Sequence, residues 1–210
     1  KKTINQSISH DSEEVRAWAI RLSQESGELD SNKLAGLAQN DSSSMVRLEI
    51  ASSLPQLSEN VRWKVARVLA TRGEDKDDPF LPKMIWYGIA GLVYSDVDKA
   101  IEIASMTKMN DLKESIYWYL SRSPSGRESI ISGLVNKSIT HPAGRVLLLM
   151  DESLSQTKNL EAPKNWSTMV AMYQSENTAE SINSLSSIFG DEGTLSVMRE
   201  IMVNKSLPFE

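Results

Sequence analysis

Asp11-Ser12-Glu13-Glu14-Val15-Arg16-Ala17-Trp18-Ala19 and Asp41-Ser42-Ser43-Ser44-Met45-Val46-Arg47-Leu48-Glu49-Ile50-Ala51 open two helical patterns alike, with Val15-Arg16 and Val46-Arg47 standing 31 residues apart. Related openings follow at Leu81 and at Leu112-Lys113, after intervals of 35 and 31 residues. A period in the thirties built from helix pairs marks a repeat architecture, an all-α solenoid of antiparallel pairs wound as an α-α superhelix. One helix pair cannot bury its own apolar face, so pair must stack on pair, and the product is a long surface rather than a closed pocket. No strand-like alternation of more than a few residues interrupts the helical spacing.

Working outward, Asp11 or Ser12 caps the first helix, and Glu14 three residues after Asp11 reads as a capping box. Val15, Trp18, Ala19 and Leu22 make its apolar face, and Gly27 ends it. Its partner carries Leu34, Leu37 and Ala38. A third helix, capped within Asp41 to Ser44, carries Val46, Ile50, Ala51 and Leu54 and closes at Pro55. The fourth starts at Ser58 to Asn60 with Val61, Val65, Val68 and Leu69 before Gly73. Helices are then expected with Leu81, Ile85, Ile89 and Leu92, from about Asp96 with Ala100, Ile101 and Ala104, and with Leu112, Ile116, Tyr119 and Leu120. Ser125 and Glu128 read as a second capping box before Ile130, Ile131, Leu134 and Val135, and an apolar helix starts near Arg145 after Pro142. Regular repeats thus span about residues 8 to 150. Past Asp151 the composition turns polar, and helices near Trp166 to Gln174, Ala179 to Phe189 and Thr194 to Asn204 lose the spacing. That tail reads as a divergent cap on a single domain of residues 1 to 210, because an end repeat must make its outer face polar; the alternative is a linker followed by the start of another domain.

Composition narrows the function classes. A net charge of −5 and a pI near 5.2 disfavour binding to duplex nucleic acid, which takes a basic face. With no cysteine, disulfides, thiolate metal sites, cysteine nucleophiles and haem attached through C-x-x-C-H are excluded from this chain. No apolar run approaches the roughly 20 residues that cross a bilayer. The chain opens on Lys1 without a signal-peptide pattern, and is expected to be a segment of something longer.

Candidate chemistry is sparse. His10 and His141 lie far apart without ligand-spaced acids, one before a helix cap and the other before Pro142 at a turn. Glu74-Asp75-Lys76-Asp77-Asp78 lacks the glycine and distal glutamate of a calcium loop and reads as a solvated turn. Trp18, Trp63, Trp86, Trp118 and Trp166 are expected in the core between repeats. Arg62, Lys64, Arg67 and Arg72 give one helix a basic strip, whose stems are expected to lie over the surface with Glu59, Glu74 and Asp75 as neutralising neighbours. Arg16 and Arg47, each following a core valine, are expected to bond an aspartate or a carbonyl of the neighbouring repeat. There is no G-x-S-x-G, phosphate-binding glycine loop or H-E-x-x-H, so no catalytic, cofactor or metal site is assigned. If a partner-binding surface exists, Arg62, Trp63, Arg67 and Trp86 are its candidates.

The stretches Asp11-x3-Val15-Arg16-x-Trp18-Ala19 and Asp41-x4-Val46-Arg47-Leu48-x2-Ala51-Ser52-x-Leu54 resemble HEAT repeats. Asp77-Asp78-Pro79-Phe80-Leu81-Pro82-Lys83-Met84-Ile85-Trp86-Tyr87-Gly88-Ile89 is similar to a segment of large exported bacterial proteins of planctomycete type, which join a quinoprotein-like propeller, a HEAT-repeat region and a C-terminal cytochrome c. The likeness covers about residues 8 to 135, and the propeller and haem motif lie outside this chain, so dehydrogenase activity is carried over to no residue. What the resemblance implies is a non-catalytic spacer or docking module of a membrane-bound, exported redox protein. Its partners would be another protein or neighbouring domains of the same chain, with no nucleic acid and no membrane insertion. Two other classes are a HEAT-like DNA glycosylase, which the acidity counts against, and a bilin-lyase-like HEAT protein acting on a chromophore.

Overall fold

The computed structural model describes residues 6–26 and 31–190 together with Ser196. Among them are eleven α-helices and no strand. The helices are α1 (Glu13–Glu25), α2 (Ser31–Asn40), α3 (Ser44–Ser53), α4 (Glu59–Ala70), α5 (Leu81–Ile89), α6 (Val97–Met106), α7 (Asn110–Leu120), α8 (Pro124–Val135), α9 (Ala143–Leu154), α10 (Trp166–Tyr173) and α11 (Ala179–Ile188). The expected order of helices is therefore observed across these residues. Gly27 and, Ser196 apart, the helix expected over Thr194 to Asn204 lie outside the described residues.

The chain divides into two compact units, Lys1–Ile116 and Tyr117–Glu210. In the first unit α1 packs on α3 and α3 on α5, while α2 packs on α4 and α4 on α6. Each helix therefore meets the next-but-one helix in sequence, and α4 also touches α5 across the rows. The unit buries Ile20, Ile50, Leu54, Val65, Leu69, Leu81, Ile85 and Ile89 completely. At ~1.5–3 kcal/mol per large apolar side chain, this interior outweighs any single polar contact. Close approach is built in at Gly88, where an added Cβ would stand 2.5 Å from the Leu54 Cβ.

The second unit repeats the next-but-one packing, with α8 on α10 and α9 on α11. Buried Trp166 meets Phe189 edge to face at 4.9 Å, and its Nε1 donates to Ser186 Oγ at 3.1 Å. Buried Tyr117 stacks on His141 at 6.0 Å.

Local chemistry sets the helix starts, and here the structure corrects the sequence. Ser12, Ser43 and Ser123 cap α1, α3 and α8, and Asp96 caps α6, each accepting the amide three residues on: Val15, Val46, Gly126 and Lys99. Neither expected capping box forms. Glu14 accepts from the Ser12 hydroxyl, while α8 opens at Pro124 with Ser123 rather than Ser125 as its cap, leaving Glu128 to accept the Lys164 amide. The apolar face of α1 is also turned from the expected one: Ala17, Ala19 and Ile20 are buried, but Trp18 is 59% and Leu22 42% exposed. Arg16 must reach Asp41, and that bond, with the small Ala17 and Ala19, brings a different face of α1 onto α3. Of the five tryptophans only Trp63 and Trp166 are buried, which corrects the expectation of a tryptophan core. Trp18 instead carries the Arg21 guanidinium 5.4 Å from its ring, and Trp118 carries Arg122 at 5.2 Å.

Candidate functional site

Buried ion pairs tie one helix start to the next. Arg16 donates from Nε and Nη2 to the Asp41 carboxylate at 2.7 and 2.8 Å, and from Nη1 to the carbonyl of His10 at 2.8 Å. Arg47 does the same one repeat on: its Nε and Nη2 grip Asp75, and its Nη1 reaches the Asp41 carbonyl at 2.7 Å. Both members of the second pair have only 3% of their side-chain surface exposed. Burial is the largest influence on Asp41 and acts to raise its pKa, yet the Arg16 hydrogen bonds, the Ser43 amide and the Arg47 charge hold it below the usual carboxylate range. Hydrogen bonds to these acids raise the pKa of Arg16 and Arg47. The expected bond from each recurrent arginine to a neighbouring aspartate is thus present. Asp75, expected in a solvated loop, is instead buried, while Glu74 and Asp77 of the same turn face water. A charged group taken from water is tolerated there because a two-pronged partner meets it.

The underlying motif is Ser-x-x-Val-Arg or Ser-x-x-Gly-Arg: Ser12 to Arg16, Ser43 to Arg47, Ser58 to Arg62 and Ser123 to Arg127. Serine caps the helix or stands at its cap position, and the arginine four residues later folds back to carbonyls just before the helix. Arg62 bonds those of Pro55 and Leu57 at 2.7 and 3.0 Å.

The four candidate surface residues therefore part company. Arg62 is held by backbone carbonyls. Trp86 is half-buried on α5. Trp63 and Arg67 come together in a groove of ≈ 250 Å³ between α4 and α6, walled by Asn60, Lys64, Lys99, Glu102 and Ile103. Arg67 spans it to Glu102 at 2.8 Å, with about half of each side chain exposed (53% and 47%). Buried Trp63 has no partner for Nε1 among the described residues. Lys99 and Glu102 escape a reading of the sequence because the opposite wall of a groove has no local signature. The basic strip does not act as one surface, since Arg62 goes to carbonyls, Arg67 to Glu102 and Arg72 to Glu74 and to the Gln39 and Asp41 carbonyls.

His10 Nδ1 accepts the Ser12 amide at 3.0 Å as part of the turn into α1. Among the described residues, no three His, Asp or Glu side chains gather as a metal site, and no helix is long and apolar enough to cross a membrane. No protein-family model, curated protein or solved structure matches the chain.

Proposed function

We propose that the chain is a solenoid of HEAT-like helix pairs that works as a non-catalytic interaction module, the spacer or docking segment of a larger exported redox protein. The next-but-one packing of α1, α3 and α5, repeated by α2, α4 and α6, is the observation that supports it, because it is how stacked pairs bury a continuous core. The arginine–aspartate pairs lend further support, since each fixes the register of one pair on the next. The groove between α4 and α6 is the surface for a protein partner: it sets an apolar and aromatic wall beside Lys64, Lys99 and the half-exposed Arg67–Glu102 pair. Exposed ion pairs of this kind stabilise by only about 0–1 kcal/mol, so they are free to exchange partners. Duplex nucleic acid is a poor occupant, because the net charge is −5 and three of the four strip cations are already engaged.

The test is to sequence the gene on both sides and express the flanking domains as capture partners. A propeller on one side and a C-x-x-C-H domain on the other are expected, with capture lost in Lys64→Glu/Arg67→Glu while helicity and melting stay unchanged. Flanks without either domain, or capture unaffected by the double variant, would overturn the assignment.

A further inference from the structure

Exposed apolar side chains are unevenly spread over the first unit. Trp18, Met45, Phe80 and Tyr87, 59%, 47%, 61% and 63% exposed, all stand on the row α1, α3, α5, Phe80 at the cap position of α5. The row α2, α4, α6 leaves no large apolar side chain exposed among the described residues. The intervals of 31 and 35 residues that relate the helix openings also relate these positions. Glu14, Met45 and Phe80 correspond and are all exposed, as are Arg21, Ser52 and Tyr87 one face-turn on. Ala19, Ile50 and Ile85 correspond in the same way and are all buried. The three helices therefore turn one and the same face outward. Trp18 and Met45 already share a groove of ≈ 280 Å³ between α1 and α3. Contiguous apolar surface of this kind, edged by polar residues, is the mark of an interaction site.

The charges on this face say what fits it. Along the outward positions, which are residues 14, 17, 18 and 21 and their counterparts on α3 and α5, the ionised side chains are Glu14, Arg21, Glu49 and Lys83. Arg21 donates to Glu49 at 3.1 Å. That leaves Glu14 at the α1 end, bonded only to the Ser12 hydroxyl at 2.6 Å, and Lys83 at the α5 end, neither in an ion pair among the described residues. The face is thus neutral, with its spare acid and its spare base at opposite ends. A strongly acidic or basic segment gains nothing from such a surface, whereas a two-fold interface requires a surface complementary to itself.

We propose that this face binds a second copy of the chain about a two-fold axis running along α3, so that each α1 lies on the α5 of the other copy. Met45 then meets its own counterpart near the axis, Trp18 lies on the partner's Met84, and Glu14 comes to the partner's Lys83. An axis running across the row would instead set Lys83 against the partner's Lys83. Three helices about 9 Å apart and two turns deep offer on the order of 400–500 Å² per copy, below the ~800 Å² of a standard interface, so the dimer is weak and reversible. The inference goes beyond the docking role above and does not depend on it, since the groove between α4 and α6 belongs to the other row.

Sedimentation equilibrium of the full chain, from about 10 µM to about 1 mM, is the test, and a reversible monomer–dimer equilibrium is expected. Trp18→Ser combined with Phe80→Ser should leave a monomer at the top of that range, with the melting temperature of the dilute protein unchanged because both side chains are exposed. Glu14→Lys and Lys83→Glu should each weaken dimerisation by about 10-fold, since the pair occurs twice in a two-fold dimer, and the two together should restore it. A local fault at the start of α1 would not be rescued by a change on α5. A parent chain that stays monomeric throughout, dimers that survive the double serine variant, or charge reversals that fail to rescue each other would overturn the proposal.

Discussion

Replacing Asp75 with asparagine asks how much of the first unit rests on one buried charge. The substitution keeps the shape of the side chain and leaves the Arg47 guanidinium, 3% exposed, facing an amide in place of a carboxylate. Removing one partner of a buried pair costs about 3–5 kcal/mol, because the remaining charge stays desolvated. Arg47 keeps its bond from Nη1 to the Asp41 carbonyl, which favours the lower end of that range. At about 1.4 kcal/mol per decade, the opening equilibrium of α3 and its neighbours should rise by roughly 10²- to 10³-fold. Hydrogen exchange read by mass spectrometry is the assay: peptides from α3 and α4 should exchange faster by that factor, and peptides from α8 and α9 should not. Glu102→Gln is the control, since its pair with Arg67 is half-exposed and should cost about 0–1 kcal/mol. Arg47→Met combined with Asp75→Leu should recover most of the loss, because a well-packed apolar pair replaces a buried ionic one nearly neutrally. An Asp75→Asn variant that exchanges like Glu102→Gln would refute the reasoning and reduce the arginine–aspartate ties to ornament on an apolar stack.

Three further outcomes rest on the same interior. Asp41 titrates below its unfolded value, so near pH 4 the unfolded chain binds more protons, and the stability it contributes is full above about pH 4–5 and disappears as pH falls through the folded value; in urea denaturation from about pH 6 to 2.5, the gap between the parent chain and Asp41→Asn should close at the acid end. Gly88→Ala forces a methyl to within 2.5 Å of Leu54 and should cost about 1–3 kcal/mol, read as a lower melting temperature. Ser43→Ala removes the cap on the Val46 amide and should cost ~1 kcal/mol in the same measurement.

Helix order is legible because the signals are local: apolar spacing, serine just before the starts of α1, α3, α4 and α8, Pro55 after α3 and Pro79 and Pro82 around the start of α5. Which face of a helix turns inward is less so. On α1, spacing alone allows Val15, Trp18 and Leu22 as well as Ala17, Ile20 and Ser23, and the choice is made by a residue 25 positions away, Asp41, which takes hold of Arg16. Asp75 misleads for the same cause, since an acidic run looks solvated until the arginine that neutralises one member, 28 residues upstream, is placed beside it. The groove is half legible: Trp63 and Arg67 share one helix, but the other wall comes from α6, where Glu102 stands 35 residues beyond Arg67.

Arg47 and Arg127 make a controlled pair within one molecule. Both are buried, both follow a serine cap by four residues, and both return Nη1 to the backbone; they differ in whether the chain supplies a carboxylate. If buried arginine served only to hold helix starts, a charge without an acid would be the worse solution, since desolvation is uncompensated and methionine fills similar volume. The two substitutions Arg47→Met and Arg127→Met should therefore diverge in sign, the first lowering the melting temperature by leaving Asp75 buried and unpaired, the second leaving it level or raising it. Parallel losses at both positions would mean that the bond to the backbone carbonyl, common to the two, is what the motif is for.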